Sequence, residues 1–209
     1  MDDEGGEATK KVQLERILQS LEPVKTPSPS MEQYPTPAAI AAEVIQFALG
    51  RGDIAGRSVV DLGCGNGVLA IAAKLSGGSR VLGVDADQGS IEVSRRNAQR
   101  AEVGVEWILS DVSSLHEPFD TVVMNPPFGA QTRHADRPFI DAALAVGRVV
   151  YTFLNAPSED FVRRKIEATG GRVTDRLEYG FPIPRMFPFH RQEVRPHDVL
   201  LYRVAVAKG

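Results

Sequence analysis

Asp61-Leu62-Gly63-Cys64-Gly65-Asn66-Gly67 decides the fold. It joins the apolar run Ser58 to Leu62, which reads as a buried strand, to Asn66 to Leu75, which reads as a helix. Glycines at such a turn let the chain reverse tightly and let a ligand approach the backbone, and a helix N-terminus favours an anionic group. The spacing departs from the dinucleotide fingerprint G-x-G-x-x-G: the third glycine comes one residue early, and an aspartate stands ahead of the first.

Working outward, strands and helices alternate. Further strands are expected at Arg80 to Val84, Val105 to Leu109, Thr121 to Met124 and Val149 to Leu154, with helices at Gly89 to Arg100, Asp136 to Val146 and Glu159 to Ala168. Arg172 to Tyr179 and Val199 to Ala207 read as two last strands with no helix between them. This is an α/β chain: a seven-stranded, mostly parallel sheet with helices on both faces and an antiparallel final hairpin.

The strand ends carry acids. Asp61 ends the first strand and is expected to bind a ligand ammonium group. Asp85 ends the second, where an acid accepts ribose hydroxyls. Asp111 follows the third and is expected to face a base amino group, with Val112 as an apolar neighbour. Three acids in phase with a glycine loop point into one crevice. Such a lining argues against a phosphate-rich ligand and for a cationic one. S-adenosylmethionine, with a sulfonium, an amino acid and a ribose but no phosphate, fits.

The second marked stretch is Asn125-Pro126-Pro127-Phe128-Gly129, at the end of the fourth strand. Proline has no N–H and a fixed φ, so the stretch is a stiff turn that aims groups outward. The Asn125 side chain and the Pro126 carbonyl offer two acceptors for an exocyclic amino group, and Phe128 a flat face for stacking.

The 209 residues, 43% of them hydrophobic, suit one domain, and the net charge of −3 gives no global basic footprint for nucleic acid. A single cysteine, Cys64, excludes an internal disulfide and argues against a zinc site of the chain's own. No apolar stretch reads as a membrane span or signal peptide, so a cytoplasmic protein is expected. Residues 1–9 read as a frayed tail, 10–57 as N-terminal helices and a leader, and 58–209 as the main domain. In the leader, Val12, Leu14, Ile17, Leu18 and Leu21 predict an amphipathic helix from Lys10 to Leu21 that docks on the core. Thr36 suits the N-cap of a second helix, with Pro37 in its first turn and Ile40, Val44, Ile45 and Leu49 on its buried face.

Asp61 to Gly67 resembles the first motif of class I S-adenosylmethionine-dependent methyltransferases, and Asn125 to Phe128 the (Asp/Asn/Ser)-Pro-Pro-aromatic motif of amino-group methyltransferases. With the leader Glu32-Gln33-Tyr34-Pro35-Thr36, the chain from about Leu14 to its last strand resembles the methyltransferase-like protein 5 family, including archaeal relatives. The resemblance implies a Rossmann-like class I fold and methyl transfer to N6 of an adenosine in small-subunit ribosomal RNA. It implies Asn125, Pro126, Pro127 and Phe128 as the catalytic turn. It implies cofactor contacts from Gln33, Tyr34 and Thr36, from Gly63, Gly65, Asn66 and Gly67, and from Asp61, Asp85, Asp111, Val112 and Asn125.

Arg133, Arg185, His190, Arg191 and Arg195 are candidate RNA contacts, with His134, Arg137, His197, Phe187 and Phe189 near them. Arg163, Arg164 and Lys165 read as a solvated face. The resemblance implies that the third strand lies at a sheet edge, where Val103, Val105, Trp107 and Leu109 invite strand addition, and that a small zinc-ribbon activator binds there, as in related enzymes. Two other readings stay open: a methyltransferase acting on a glutamine of a protein release factor, and an inactive cofactor- or RNA-binding subunit.

Overall fold

The computed structural model describes residues 4–24, 35–127, 135–155, 158–181 and 197–207. Two helices come first, α1 (Glu4–Gln19) and α2 (Ala38–Gly50). Then β1 (Ser58–Leu62), α3 (Val68–Leu75), β2 (Arg80–Asp85), α4 (Gln88–Arg100) and β3 (Glu106–Leu109) alternate as expected. After a short 3-10 turn, Val112–Ser114, come β4 (Phe119–Met124), α5 (Arg137–Val146), β5 (Gly147–Asn155), α6 (Glu159–Ala168), β6 (Arg172–Phe181) and β7 (His197–Ala205).

One seven-stranded sheet has the order β3-β2-β1-β4-β5-β7-β6. β1 to β5 run parallel, and β7 lies antiparallel to both β5 and β6. The expected final pair is there, with its second strand inserted against β5 and its first left at the margin. β1, β2, β4 and β5 are mostly buried because both sheet faces are covered there. One face meets α1, α2 and α3 through residues such as Leu14, Ile45, Ile71, Val59 and Val123. The other meets α5 and α6 through Val60, Leu62, Met124, Ile140 and Val162.

α1 docks on the core through Leu14 and Leu18, as expected. The helix begins at Glu4, inside the stretch read as a tail. Val12 does not join its buried stripe and is 58% exposed. Two residues from Leu14 is roughly 200° around a helix, which puts Val12 on the opposite side.

Asp53 anchors the loop before β1. Arg203 on β7 donates to it from Nε (2.8 Å) and Nη2 (3.2 Å), and the Tyr151 hydroxyl donates at 2.6 Å. Arg203 also donates to Thr174 on β6 at 2.8 Å. The Thr121 hydroxyl on β4 donates to the Asp53 carbonyl at 2.6 Å. One buried cluster therefore ties the loop after α2 to four strands.

The topology reverses at β1, which has β2 on one side and β4 on the other. In open α/β sheets the crevice for ligands lies at this reversal, beyond the strand C-termini.

Candidate active site

Leu62 pairs with Val84 on one side and with Met124 on the other. Paired strands lie roughly 4.8 Å apart. The residues that follow, Gly63, Asp85 and Asn125, thus leave the sheet side by side. The glycine loop and the proline turn share one crevice.

The loop glycines do different jobs. Gly63, Gly65 and Gly67 all have positive φ, at 73°, 53° and 84°. A Cβ on Gly63 would lie 2.8 Å from the Phe139 ring, and one on Gly67 would lie 2.7 Å from the Trp107 ring. Gly65 alone of the three has nothing within 4 Å of where a Cβ would sit. It is the glycine over which a ligand can come close to the backbone.

The acids hold this loop. Asp85 Oδ2 accepts from Gly65 N–H at 2.8 Å, and Oδ1 accepts from Asp87 N–H at 2.9 Å. Asp61 is 1% exposed, and its Oδ2 accepts from Ala70 N–H in the first turn of α3 at 3.0 Å. That bond fixes Oδ2 on the start of α3. Burial pushes the Asp61 carboxyl up to about 7, against the Ala70 hydrogen bond and with help from Asp85. Asp85 is also raised, chiefly by burial. Asp111 is exposed and turns back on its own chain, accepting from Ser113 N–H (2.8 Å) and Ser113 Oγ (2.6 Å). Those bonds hold its carboxyl below the usual range. Val112 is buried.

Asn66 Nδ2 donates to the Glu22 carbonyl at 3.2 Å. The organiser here is Asn97 on α4, which sequence reasoning missed. It is fully buried, donates to the Glu22 carbonyl (3.0 Å) and the Asn66 carbonyl (2.9 Å), and accepts from Glu22 N–H (2.8 Å). The chain after α1 is thereby bound to the glycine loop. A polar residue in the apolar register of α4 is the one sign in the sequence.

Thr36 sits 8% exposed beside the proline turn. It does not cap α2. The cap position is Pro37, with no side-chain cap bond. Instead Asn125 Nδ2 donates to Thr36 Oγ1 at 3.1 Å. Pro126 is buried and Pro127 half-buried. Phe128, Gln33, Tyr34, Arg133, His134, Arg185, Phe187, Phe189, His190, Arg191 and Arg195 lie outside the described residues, as does the His197 side chain. Arg137 places its guanidinium over the Phe161 ring at 4.4 Å. Arg163 and Arg164 are exposed, and Lys165 pairs with Asp141 at 2.5 Å.

β3 is at the sheet edge, as expected. Its apolar side chains divide otherwise than expected. Val103, Val105 and Trp107 pack on the core. The Trp107 ring lies over Gly83 of β2, where a Cβ would approach it to 2.3 Å. Ile108 and Leu109 are the outward pair, 43% and 50% exposed.

The methyltransferase small domain family matches residues 41–146. An uncharacterized protein of Methanocaldococcus jannaschii is 38% identical, aligned over 93% of this chain and 94% of its own. The rRNA N(6)-adenosine-methyltransferase Mettl5 of Drosophila melanogaster is 33% identical over 92% of this chain and 95% of its own. A crystal structure from Pyrococcus horikoshii, described as a candidate RNA methyltransferase, is 36% identical and superposes with a TM-score of 0.88 over 95% of this chain and 98% of that one. The glycine loop, the proline turn and these relatives agree: the chain belongs to the METTL5 family, built on the methyltransferase small domain.

Proposed function

We propose that this protein transfers the methyl group of S-adenosylmethionine to N6 of an adenosine in small-subunit ribosomal RNA. The observation that carries this reading is the strand register that brings Asn125 and Pro126 out beside the glycine loop. The METTL5 relatives, named as rRNA N6-adenosine methyltransferases, support it.

The residues fit the cofactor. Gly65 leaves open space at the loop, and two buried carboxyls, Asp61 and Asp85, set a negative field suited to a cation. When bound, S-adenosylmethionine supplies a methyl group on a positively charged sulfur. Asp61, Gly63, Gly65, Asn66, Gly67, Asp85, Asp111, Val112 and Asn125 would hold it, together with Gln33, Tyr34 and Thr36.

The amino group of adenine is a weak nucleophile because its lone pair is delocalised into the ring. Asn125 and the Pro126 carbonyl accept its two N–H bonds and draw that lone pair toward the methyl donor. Phe128 stacks on a base swung out of its helix. As the N6–methyl bond forms, the methyl–sulfur bond would break to leave a neutral thioether, and N6 would shed its surplus proton to water, because the turn offers no strong general base. Alignment of the reactants supplies roughly 7–11 kcal/mol instead.

Mass spectrometry of nucleosides from ribosomal RNA, after incubation with purified protein and cofactor, tests this. N6-methyladenosine is expected. Methylated glutamine in a release factor, with unmodified RNA, overturns it.

Asp61 gives cofactor binding a pH signature. A cationic ligand favours the ionised carboxylate, so affinity rises as pH climbs through about 7. Calorimetry in buffers of different ionisation enthalpy should show proton release that fades above that pH, and Asp61→Asn should flatten the profile. Without ligand the sign is opposite. The carboxyl is raised above its unfolded value of 3.8, so its stabilising contribution is full below that value and lost as pH rises through about 7.

The same reading includes a small zinc-ribbon activator that adds a strand to the free edge of β3. Exposed Ile108 and Leu109 support it, in place of Val103, Val105 and Trp107. Leu109→Asp should abolish copurification and stimulation while leaving cofactor affinity unchanged. Full activity of the isolated wild-type protein would count against the partner.

A further inference from the structure

We infer that Asn97 is a positioning residue that couples the docking of α1 to the affinity for cofactor. The inference concerns cofactor binding alone and holds whichever group accepts the methyl. Asn97 lies on the buried face of α4, with Ile91, Ser94 and Ala98. Its amide takes hold of one main-chain residue twice: Oδ1 accepts from Glu22 N–H at 2.8 Å, and Nδ2 donates to the Glu22 carbonyl at 3.0 Å. Nδ2 also donates to the Asn66 carbonyl at 2.9 Å. A main-chain N–H only donates and a main-chain carbonyl only accepts, so these partners allow one orientation of the amide.

Each partner leads somewhere. Glu22 follows α1, whose Leu18 is 3% exposed in the core. Pro23 favours extended backbone at Glu22, and an extended residue turns its N–H and its carbonyl to the same side. One amide can therefore take both, as a neighbouring strand would. Asn66 lies in the tight turn of the glycine loop, which Gly67 N–H closes by donating to the Cys64 carbonyl at 2.8 Å. Asp85 holds one side of that turn at Gly65 N–H, and Asn97 holds the other at the Asn66 carbonyl. Between these two anchors lies the open space at Gly65. The Asn66 side chain bonds the same Glu22 carbonyl. Releasing α1 carries Glu22 away and takes the brace off the turn. The coupling is reciprocal, so cofactor binding also seats α1.

Leu18→Ala loosens α1 through a residue outside the site. By calorimetry below the unfolding transition, its Kd for S-adenosylmethionine should rise about fivefold or more, the lower end of the usual range for coupled sites. Asn97→Asp keeps the shape and the bond from Glu22 N–H but sets oxygen against two carbonyls. Its Kd should rise about tenfold, the effect of leaving a buried polar group unpaired. Adding Leu18→Ala to Asn97→Asp should then cost less than about twofold more, because the link is already cut.

Hydrogen exchange in the wild-type protein supplies a measurement that needs no variant to fold. S-adenosylmethionine should slow exchange of the α1 amides, and by more than it slows those of β6 and β7. An unchanged Kd in Leu18→Ala or in Asn97→Asp overturns the inference. So does an equal Leu18→Ala loss in both backgrounds, which would route the effect around Asn97. Should either variant fail to fold, the exchange data decide: slowing in α1 no greater than in β6 and β7 refutes the coupling.

Discussion

Asn125→Ala is expected to lower kcat by about 100- to 1,000-fold, the range for removing one aligned polar group from a reacting centre. The alanine leaves the amino group with one acceptor, the Pro126 carbonyl, and the lone pair stays in the ring. It also takes away the donor that meets Thr36 Oγ1. Cofactor affinity should be nearly unchanged, because the loop glycines follow β1 and Asp85 ends β2, whereas Asn125 follows β4. Single-turnover methyl transfer to RNA, with Kd measured separately, divides the two effects. Turnover within about threefold of wild type would remove Asn125 from the chemistry.

Arg203→Leu is expected to destabilise the fold by about 3–5 kcal/mol, the penalty for stranding a buried charge. Asp53 and Arg203 have side chains only 11% and 14% exposed, so the variant would leave Asp53 with the Tyr151 hydroxyl as its remaining side-chain donor among the described residues. Burial and the carboxylate together push the Tyr151 phenol well up, so the ring stays protonated and donates. The melting temperature should fall by about 10 °C or more for a chain of this size. Adding Asp53→Asn should recover part of the loss, since it removes the stranded charge. A double variant less stable than the sum of the single ones would overturn this account. Methyl transfer near wild type at low temperature is expected, because the cluster sits at the start of β1 and β4, away from the crevice.

The alternation of strands and helices was readable from Ser58 onward because strands covered on both faces have to be apolar along their length. Their ends were less so. β4 reaches back to Phe119 and β5 to Gly147 because those two residues pair with each other. The crevice was readable too, from the glycine loop and the proline turn. What each side chain does there depends on neighbours distant in sequence. Thr36 reads as a helix cap until Asn125 is brought to it. Asp61 reads only as a ligand group, yet its Oδ2 also accepts from Ala70 N–H. Trp107 reads as part of an open edge, yet Gly83 and Gly67 leave a flat seat that draws the ring inward. Gly83 carries no local sign of that role, since a glycine inside a strand can as well mark a bulge.

The insertion of β7 against β5 has a consequence for synthesis on the ribosome. β5 and β6 both bond to β7, and no pairing joins them directly. Until His197–Ala205 has left the exit tunnel, β5 is a nascent sheet's raw margin and β6 has nothing to zip onto. Arg203, the last contributor to the Asp53 cluster, arrives in the same stretch. A stalled or truncated chain that ends before it should be a client for chaperones and prone to stick to its own copies, even with the whole glycine loop already made.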